Sequence, residues 1–409
     1  MELCRELLSG LVDDVQDQGI SRLLFCYIDF EHRINFQIMS LSPQTPLRIA
    51  VIGGSGLIGK RHCQHVSSNP STILVAIVDP SPSALETANV HSIVLYPSIT
   101  ALLASPDRPD AAIVCTPNHT HVPLSSQLAE AGIHILCEKP ISTDVETGAG
   151  LIATAQRHNV KLLIGHHRRF NPYMLTTKHL LTTGAIGAIT AVSGLWALLK
   201  PDPYFAGSQV WRSRKSSGGG PILLNFIHEI DLMHYLFGPV TRIHAEKMIS
   251  RRRQDDDSAE EGAVITMRFA SGIVGTFLLS DNVASPHSFE GGTGENPMLP
   301  KTGADVYRIF GTEGTLSVPD MVLSTYESGK AGWDQSMNVR KVKVEDMHVA
   351  PFDSQLDHFV KVCRGEAKPS CTGEEGLRAL MVCEAMRRAL DMSGGGGTVT
   401  IESTELNGG

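Results

Sequence analysis

The eight cysteines of this 409-residue chain (4, 26, 63, 115, 137, 363, 371 and 383) include no CxxC pair. No Cys/His cluster has the spacing of a zinc site, so no metal is expected. Scattered thiols in a chain this long point to a reducing compartment. A basic face is missing too. The net charge is −8, and Arg251-Arg252-Arg253 is the one short basic block, so nucleic acid is not an expected partner. Asp255-Asp256-Asp257 comes directly after that block, and the loop reads as solvated and self-neutralising. No apolar run approaches the roughly 18–20 residues needed to span a bilayer, so no membrane association is expected. The first residues lack the basic segment of a secretion signal, and Glu2, Glu6, Asp13, Asp14 and Asp17 argue against a transit peptide. The expected location is cytoplasmic. What is present is ordinary for a protein with a real core, 42% hydrophobic and 19% charged. At roughly 100–200 residues per domain, two domains are expected.

Residues 1–46 do not share the pattern of the remaining chain. They hold a possible amphipathic helix (2–17) and a strand-like run (23–30), and residues 1–38 read as a dispensable extension. From 47 to 165, short apolar runs alternate with helical segments. That alternation predicts a doubly wound parallel sheet. From 166 to 402 the pattern becomes α+β, with β runs near 188–198, 241–249, 262–269, 273–281, 305–310, 314–318, 339–344 and 398–401. These predict a large, mostly antiparallel open sheet, with helices near 171–182, 222–236, 352–364 and 373–392. Gly291-Gly292-Thr293-Gly294 reads as a surface loop, Ser393 to Gly397 as a flexible turn, and 403–409 as a flexible tail.

The first β run ends in Gly53-Gly54-Ser55-Gly56-Leu57-Ile58-Gly59, a GxGxxG at Gly54, Gly56 and Gly59. Such a turn between strand and helix lets backbone N–H groups approach a pyrophosphate at the helix N-terminus. Asp79 lies 25 residues after Gly54 at the end of the next β run. A carboxylate there accepts ribose hydroxyls and repels a 2′-phosphate. No Lys or Arg lies between 79 and 90, so NAD is favoured over NADP. Ser55, Leu57 and Ile58 belong to the same expected cradle.

Two further strand ends carry unusual polar residues. One reads Thr116-Pro117-Asn118-His119-Thr120-His121, the other Glu138-Lys139-Pro140. The sequon at Asn118 falls inside this site, where a glycan would be incompatible. Ligands bind at the carboxyl ends of strands in such sheets, and Lys139 is placed to meet a substrate oxygen as a cation.

With these motifs the chain resembles the Gfo/Idh/MocA family, which includes glucose–fructose oxidoreductase and inositol dehydrogenase. The resemblance runs from about Pro46 to Ile401. It rests on Glu138-Lys139-Pro140, Thr116 to His121, Arg168-Arg169-Phe170-Asn171-Pro172, Trp211-Arg212, Gly218-Gly219-Gly220 through His228-Glu229-Ile230-Asp231, and Gly311-Thr312-Glu313-Gly314-Thr315. It implies that Lys139 is the central catalytic lysine and His228 the acid/base. It also implies that Glu138 and Asn118 contact the nicotinamide-side ribose and that copies associate through the C-terminal sheet. Many relatives carry Asp four residues before the catalytic His. Position 224 is Leu here, and Asn225 is the nearest polar residue. On a helix Asn225, His228 and Asp231 share a face, and Asn can orient a substrate but not act as a base.

The reading is an NAD(P)-dependent dehydrogenase acting on a polyol, cyclitol, sugar or related cyclic alcohol. His228, as an unperturbed imidazole, takes the hydroxyl proton while Lys139 stabilises the alkoxide. Candidate substrate contacts are Arg169, Asn171, Tyr173, Trp211, Arg212, Asn225 and Asp231. Plainer readings stand beside these. His228 could be a core histidine, Asp231 could pair with an Arg, Trp211 and Arg212 could anchor a loop, and Gly218–Gly220 could be a hinge. His166 and His167 could line the pocket. Three other functions remain open: a tailoring oxidoreductase of secondary metabolism, a non-catalytic dinucleotide sensor, and a glycosidase using transient NAD oxidation.

Overall fold

A computed structural model describes residues 45–252, 254–327 and 329–401. The expectations for residues 1–44 and for the tail lie outside that range.

Leu47–Ile52 (β1), Thr72–Val78 (β2), Val94–Tyr96 (β3), Ala111–Val114 (β4), His134–Cys137 (β5) and Leu162–Ile164 (β6) form a parallel sheet in the order β3-β2-β1-β4-β5-β6. Its central strands are apolar almost without interruption because both faces are covered. Leu57–Ser68 (α1), Ala84–His91 (α2), Ile99–Leu103 (α3), His121–Glu130 (α4) and Val145–Arg157 (α5) supply the crossovers. The register matters for function. Ile52 pairs with both Val78 and Val114, Val114 with Cys137, and Cys137 with Ile164. Five strands therefore end in one row. The residues just beyond their ends are Gly53, Asp79, Cys115, Glu138 and Gly165.

Pro172–Thr182 (α6) leads into a nine-stranded sheet. Its strands are Ile189–Ala197 (β7), Val240–Lys247 (β8), Gly262–Phe269 (β9), Val274–Ser280 (β10), Tyr307–Gly311 (β11), Gly314–Val318 (β12), Val322–Thr325 (β13), Asn338–Lys341 (β14) and Gly396–Thr400 (β15). The order is β14-β13-β12-β11-β7-β10-β9-β8-β15, and every pairing is antiparallel except β7 with β10. Along β9 buried and exposed residues alternate, so one face is packed and the other open. Ile227–Phe237 (α7) and Gly373–Leu390 (α10) cover the packed face, with Ile230, Met233, Val382 and Met386 meeting Ile243, Ile265 and Leu279. Pro351–Cys363 (α9) returns to the first sheet, where Leu356 and Phe359 pack with Ile49 and Val51.

Four local expectations change. The helix expected over 222–236 begins as a π-helix, Ile222–Phe226, before α7. Gly291 and Gly292 are no loop. They lie buried in the short helix Phe289–Thr293 (α8), capped by Ser288, where a Cβ on Gly292 would come within 2.8 Å of the Ala304 carbonyl. Gly396 and Gly397 pair with Glu246 and Ala245 rather than forming a flexible turn. The basic block is not neutralised by its neighbours: Arg252 binds Asp281 at 2.9 Å, and Asp255 binds Arg214 at 2.5 Å. No described helix is long and apolar enough to cross a membrane.

Candidate active site

The glycine-rich turn is built by backbone. Gly53 has φ +93°, and a Cβ on Gly59 would stand 2.0 Å from the Gly53 carbonyl oxygen. Only hydrogens fit there, so α1 starts close under the turn and directs its free N–H groups outward. Gly56 and Leu57 are exposed at that start, while Gly53 and Gly54 are buried. The Ser55 N–H donates to Asp79 Oδ2 at 2.8 Å, and the Ser81 N–H to Asp79 Oδ1 at 2.8 Å. Asp79 is thus fixed beside the turn.

The next two strand ends are clipped together by His121. One ring nitrogen meets the Pro140 carbonyl at 2.7 Å and the other the Thr116 carbonyl at 2.8 Å. Two carbonyls require two N–H donors. Burial opposes the charge, but the Cys137 thiol and both carbonyls hold the imidazole pKa up at about 9. Thr116 accepts from the Thr120 hydroxyl at 2.6 Å. Asn118 opens a 3-10 turn before α4 and is half-buried.

Glu138 is buried, and its Oε1 lies 2.9 Å from His62 Nε2 on α1. Burial would raise this carboxyl, yet the His62 bond and the nearby cations hold it at about 2. The Lys139–Pro140 bond is cis. Lys139 Nζ donates to the Leu224 carbonyl at 3.2 Å, one turn before His228. Burial lowers the Lys139 pKa, with Glu138 opposing. His228 is buried, and its Nδ1 has no partner among the described residues. Its ring lies 5.7 Å from His166 and 5.2 Å from His167, both edge-on. Burial and the Lys139 charge push His228 well below the usual histidine range. The ring is therefore held toward its neutral form, not the unperturbed imidazole expected from sequence.

Two family models match most of the chain. The Gfo/Idh/MocA profile described as an oxidoreductase family NAD-binding Rossmann fold matches residues 47–166. Its C-terminal alpha/beta domain profile matches 178–399. The chain belongs to the Gfo/Idh/MocA oxidoreductase family. The uncharacterized oxidoreductase YrbE of Bacillus subtilis is 27% identical over 360 residues, 86% of this chain and 96% of its own length. The myo-inositol 2-dehydrogenase of Thermotoga maritima is 25% identical over 84% of this chain and 96% of its own. In structure, the WlbA dehydrogenase of Bordetella pertussis, solved with NADH and UDP-GlcNAcA, superposes with TM-score 0.70 at 21% identity. That match covers 88% of this chain and 99% of WlbA.

Within this Gfo/Idh/MocA chain several expected substrate contacts are engaged elsewhere. Arg169 donates to both oxygens of Asp231, at 2.7–3.1 Å, and also to Glu375 and the Ser370 carbonyl. Both residues are almost fully buried. The pair ties α7 to the start of α10, so neither group is left to hold substrate. Asn171 caps α6 and donates to Glu295 at 3.4 Å. The Tyr173 hydroxyl meets Lys301 at 3.3 Å. Asn225 sits on the π-turn, and its Oδ1 accepts from Lys200 Nζ at 2.6 Å. Arg212 lies over the Tyr204 ring at 4.1 Å, and Trp211 is 39% exposed beside it. His166 and His167 stand against His228, with ring centroids 5.7 and 5.2 Å away.

Three contributors escaped the sequence reading. His62 lies one turn into α1 and carried no signal beyond its distance from Gly59. Arg168 was quoted in a motif without a role. It binds Glu229 at 2.5 Å, Glu290 at 2.6 Å and Glu295 at 2.7 Å. Lys200 did leave a trace: like Lys139 it ends a β segment immediately before a proline.

His166, Asp231 and Cys371 bring three potential metal-binding atoms within 4.8 Å of one another. Arg169 already neutralises Asp231, and burial raises the Cys371 thiol far above its usual range. A cation there would face a guanidinium and a protonated thiol, which is a poor metal site.

Proposed function

We propose that this chain is a dehydrogenase that uses NAD(H) in preference to NADP(H). Its substrate carries a CH–OH group on a polyol, cyclitol, sugar or related cyclic alcohol. The observation that carries the reading is the single row of strand ends. The glycine-rich turn, Asp79 and Lys139 lie along that one edge of the sheet, with Lys139 against the turn before His228. The curated relatives include inositol dehydrogenases, and this chain's CH–OH assignment rests on that kinship.

The cradle suits a dinucleotide. A side chain at Gly59 would close the turn, and Asp79 keeps lone pairs for ribose hydroxyls beside its two backbone bonds. Pro80-Ser81-Pro82-Ser83, just beyond it, offers no cation to a 2′-phosphate. Gly54, Ser55, Gly56, Leu57, Ile58 and Gly59 hold the pyrophosphate. Thr116, Asn118 and Glu138 take the nicotinamide-side ribose, with His121 fixing the turn that carries them. The nicotinamide supplies or accepts the hydride when bound. His228, held neutral by burial, takes the hydroxyl proton on a ring nitrogen. Lys139 stabilises the developing alkoxide in a site where water is scarce, so its charge acts strongly. Copies associate through the open face of the nine-stranded sheet, where Val264, Val274 and Phe310 are exposed.

The test is reduction of NAD⁺ and NADP⁺, followed at 340 nm, across polyols, inositols, aldoses and cyclic alcohols, with Lys139→Ala as control. The expected result is turnover favouring NAD⁺, with kcat lowered on the order of 10²–10³-fold in the variant and NADH affinity retained. Equal turnover in wild type and variant would sink the reading.

A further inference from the structure

Several buried or half-buried arginines of this region are matched by carboxylates. Arg168 meets three carboxylates, Arg169 meets Asp231 and Glu375, and Arg252 meets Asp281 and Glu261. Lys139, Lys200 and Arg212 near the reacting centre break that rule, and of these three the dehydrogenase reading gives a role to Lys139 alone. Among the described residues Lys200 and Arg212 have no carboxylate within ion-pair distance.

Lys200 is 9% exposed. Its ammonium has three donors, and one reaches Asn225 Oδ1 at 2.6 Å. It faces the rings of Tyr204 at 4.7 Å and Trp196 at 5.3 Å. The acids that come nearest are taken. Arg252 holds both oxygens of Asp281, and Arg168 and the Trp196 N–H hold Glu290. Burial lowers the Lys200 pKa to about 8, with Asp281 and Glu290 opposing. That is the direction for an ammonium without a counter-ion of its own. Arg212 covers Tyr204, and its guanidinium donates to the Tyr204 carbonyl at 3.2 Å. Burying an ammonium without a counter-ion is costly, and Lys200 is the buried one of the two, while Arg212 is half-buried at its side.

The position is close to the chemistry. Asn225, which holds Lys200, comes directly after Leu224, whose carbonyl holds Lys139. We propose that Lys200 and Arg212, arranged around Tyr204, form an oxyanion subsite beside the hydride-transfer centre. The substrate is then a hydroxylated ring or chain bearing a carboxylate or phosphate. This deepens the dehydrogenase reading and rests on it.

The full chain is assayed with NAD⁺ on matched sets: D-glucose, D-glucuronate and D-glucose 6-phosphate, with myo-inositol and myo-inositol 1-phosphate. Wild type is expected to favour a charged member over its neutral parent at least 30-fold in kcat/KM, mostly through KM. The carboxylate and phosphate arms show which oxyanion fits. In Lys200→Met that preference is expected to shrink at least tenfold, in Arg212→Gln to shrink in the same sense, and in Lys200→Arg to return in part. Turnover of neutral substrates without charge preference overturns the subsite and leaves the dehydrogenase standing. So does an equal fall for charged and neutral members in Lys200→Met. If none of the five turns over, the same compounds are titrated calorimetrically into the NADH-loaded protein. Tighter charged binding that Lys200→Met abolishes supports the subsite, and equal binding overturns it.

Discussion

The glycine-rich turn and the helix that carries His228 stand within one site and are built in opposite ways. The turn is seven consecutive residues, Gly53 to Gly59, shaped by the absence of side chains. The helix α7 is held by side chains from far along the chain. Arg168 collects Glu229, Glu290 and Glu295 across separations of 61, 122 and 127 residues. The Tyr307 hydroxyl closes on the same Glu229. A ligand cradle made of backbone needs only local geometry. A side chain such as His228 must be held in place by a lattice, and here the lattice is ionic and buried. Burial raises Glu229 to about 8 against the pull of Arg168. Glu290 and Glu295 push the same way as burial, so the Arg168 guanidinium works against both to hold the three carboxyl groups together.

Breaking the lattice should produce the largest effect. Arg168→Met leaves three buried acids without their common cation. Removing one partner of a buried ion pair typically costs about 3–5 kcal/mol, against a total stability of about 5–15 kcal/mol. Urea unfolding should show a loss in that range or an insoluble product. Where the variant folds, NADH affinity should stay within about threefold, equivalent to about 0.7 kcal/mol, because the cradle does not use the lattice. A loss below about 1 kcal/mol would show that the carboxylates relax into water and that the lattice does not hold the helix. The comparison would then lose its basis.

The converse change strikes the backbone-built region. In Gly59→Ala the new Cβ would lie 2.0 Å from the Gly53 carbonyl oxygen, so α1 must retreat from the turn. Overpacking of this kind costs about 1–3 kcal/mol. NADH affinity, read by fluorescence, should fall about 10–100-fold, or 1.4–2.8 kcal/mol. Gly56→Ala separates the two effects. Its Cβ finds only the Gly53 oxygen, at 3.7 Å, so stability should hold while a dinucleotide is hindered. Equal NADH binding in wild type and both variants would remove the pyrophosphate from this turn.

The same contrast explains what could be read in advance. The parallel sheet was legible because its strands are short apolar runs between helical segments, and Gly54, Asp79 and Lys139 each mark a strand end. The nine-stranded sheet was legible by alternation, apart from β13, a four-residue strand. For Asp231 the pairing with an Arg stood as one reading beside substrate contact, but nothing in the sequence chose between them or named Arg169 as the partner. Spacing placed Asp231 on the face of Asn225 and His228, but one π-turn, Ile222–Phe226, alters that register, and Arg169 arrives from 62 residues away to occupy the carboxylate. Nor does spacing reveal depth. His228 read as an ordinary imidazole until its burial beside Lys139 was seen. Charge partners and burial are properties of the assembled core, and no local pattern encodes them.

The smallest expected effect comes from the contact where the two modes of construction meet. His62 rises from the helix under the glycine-rich turn and holds Glu138 next to Lys139. It also packs edge-on against Phe352 at 5.4 Å, on a helix from the far end of the chain. Glu138 stays ionised because this bond and nearby cations outweigh its burial. His62→Leu removes the leading opposing influence, so the Glu138 pKa should climb from about 2. A protonated Glu138 is a poorer acceptor for a ribose hydroxyl. The KM for NAD⁺ should then rise as pH falls from 7 to 5 in the Leu variant, by about 3–10-fold, or 0.7–1.4 kcal/mol, and stay flat in wild type. His62→Gln can still donate to Glu138 and should keep most of the wild-type profile. A Gln variant as pH-sensitive as the Leu variant would mean that His62 acts by its charge and not by its N–H. Flat profiles in both would mean that Glu138 is held by the other cations, with His62 serving only to seat Phe352.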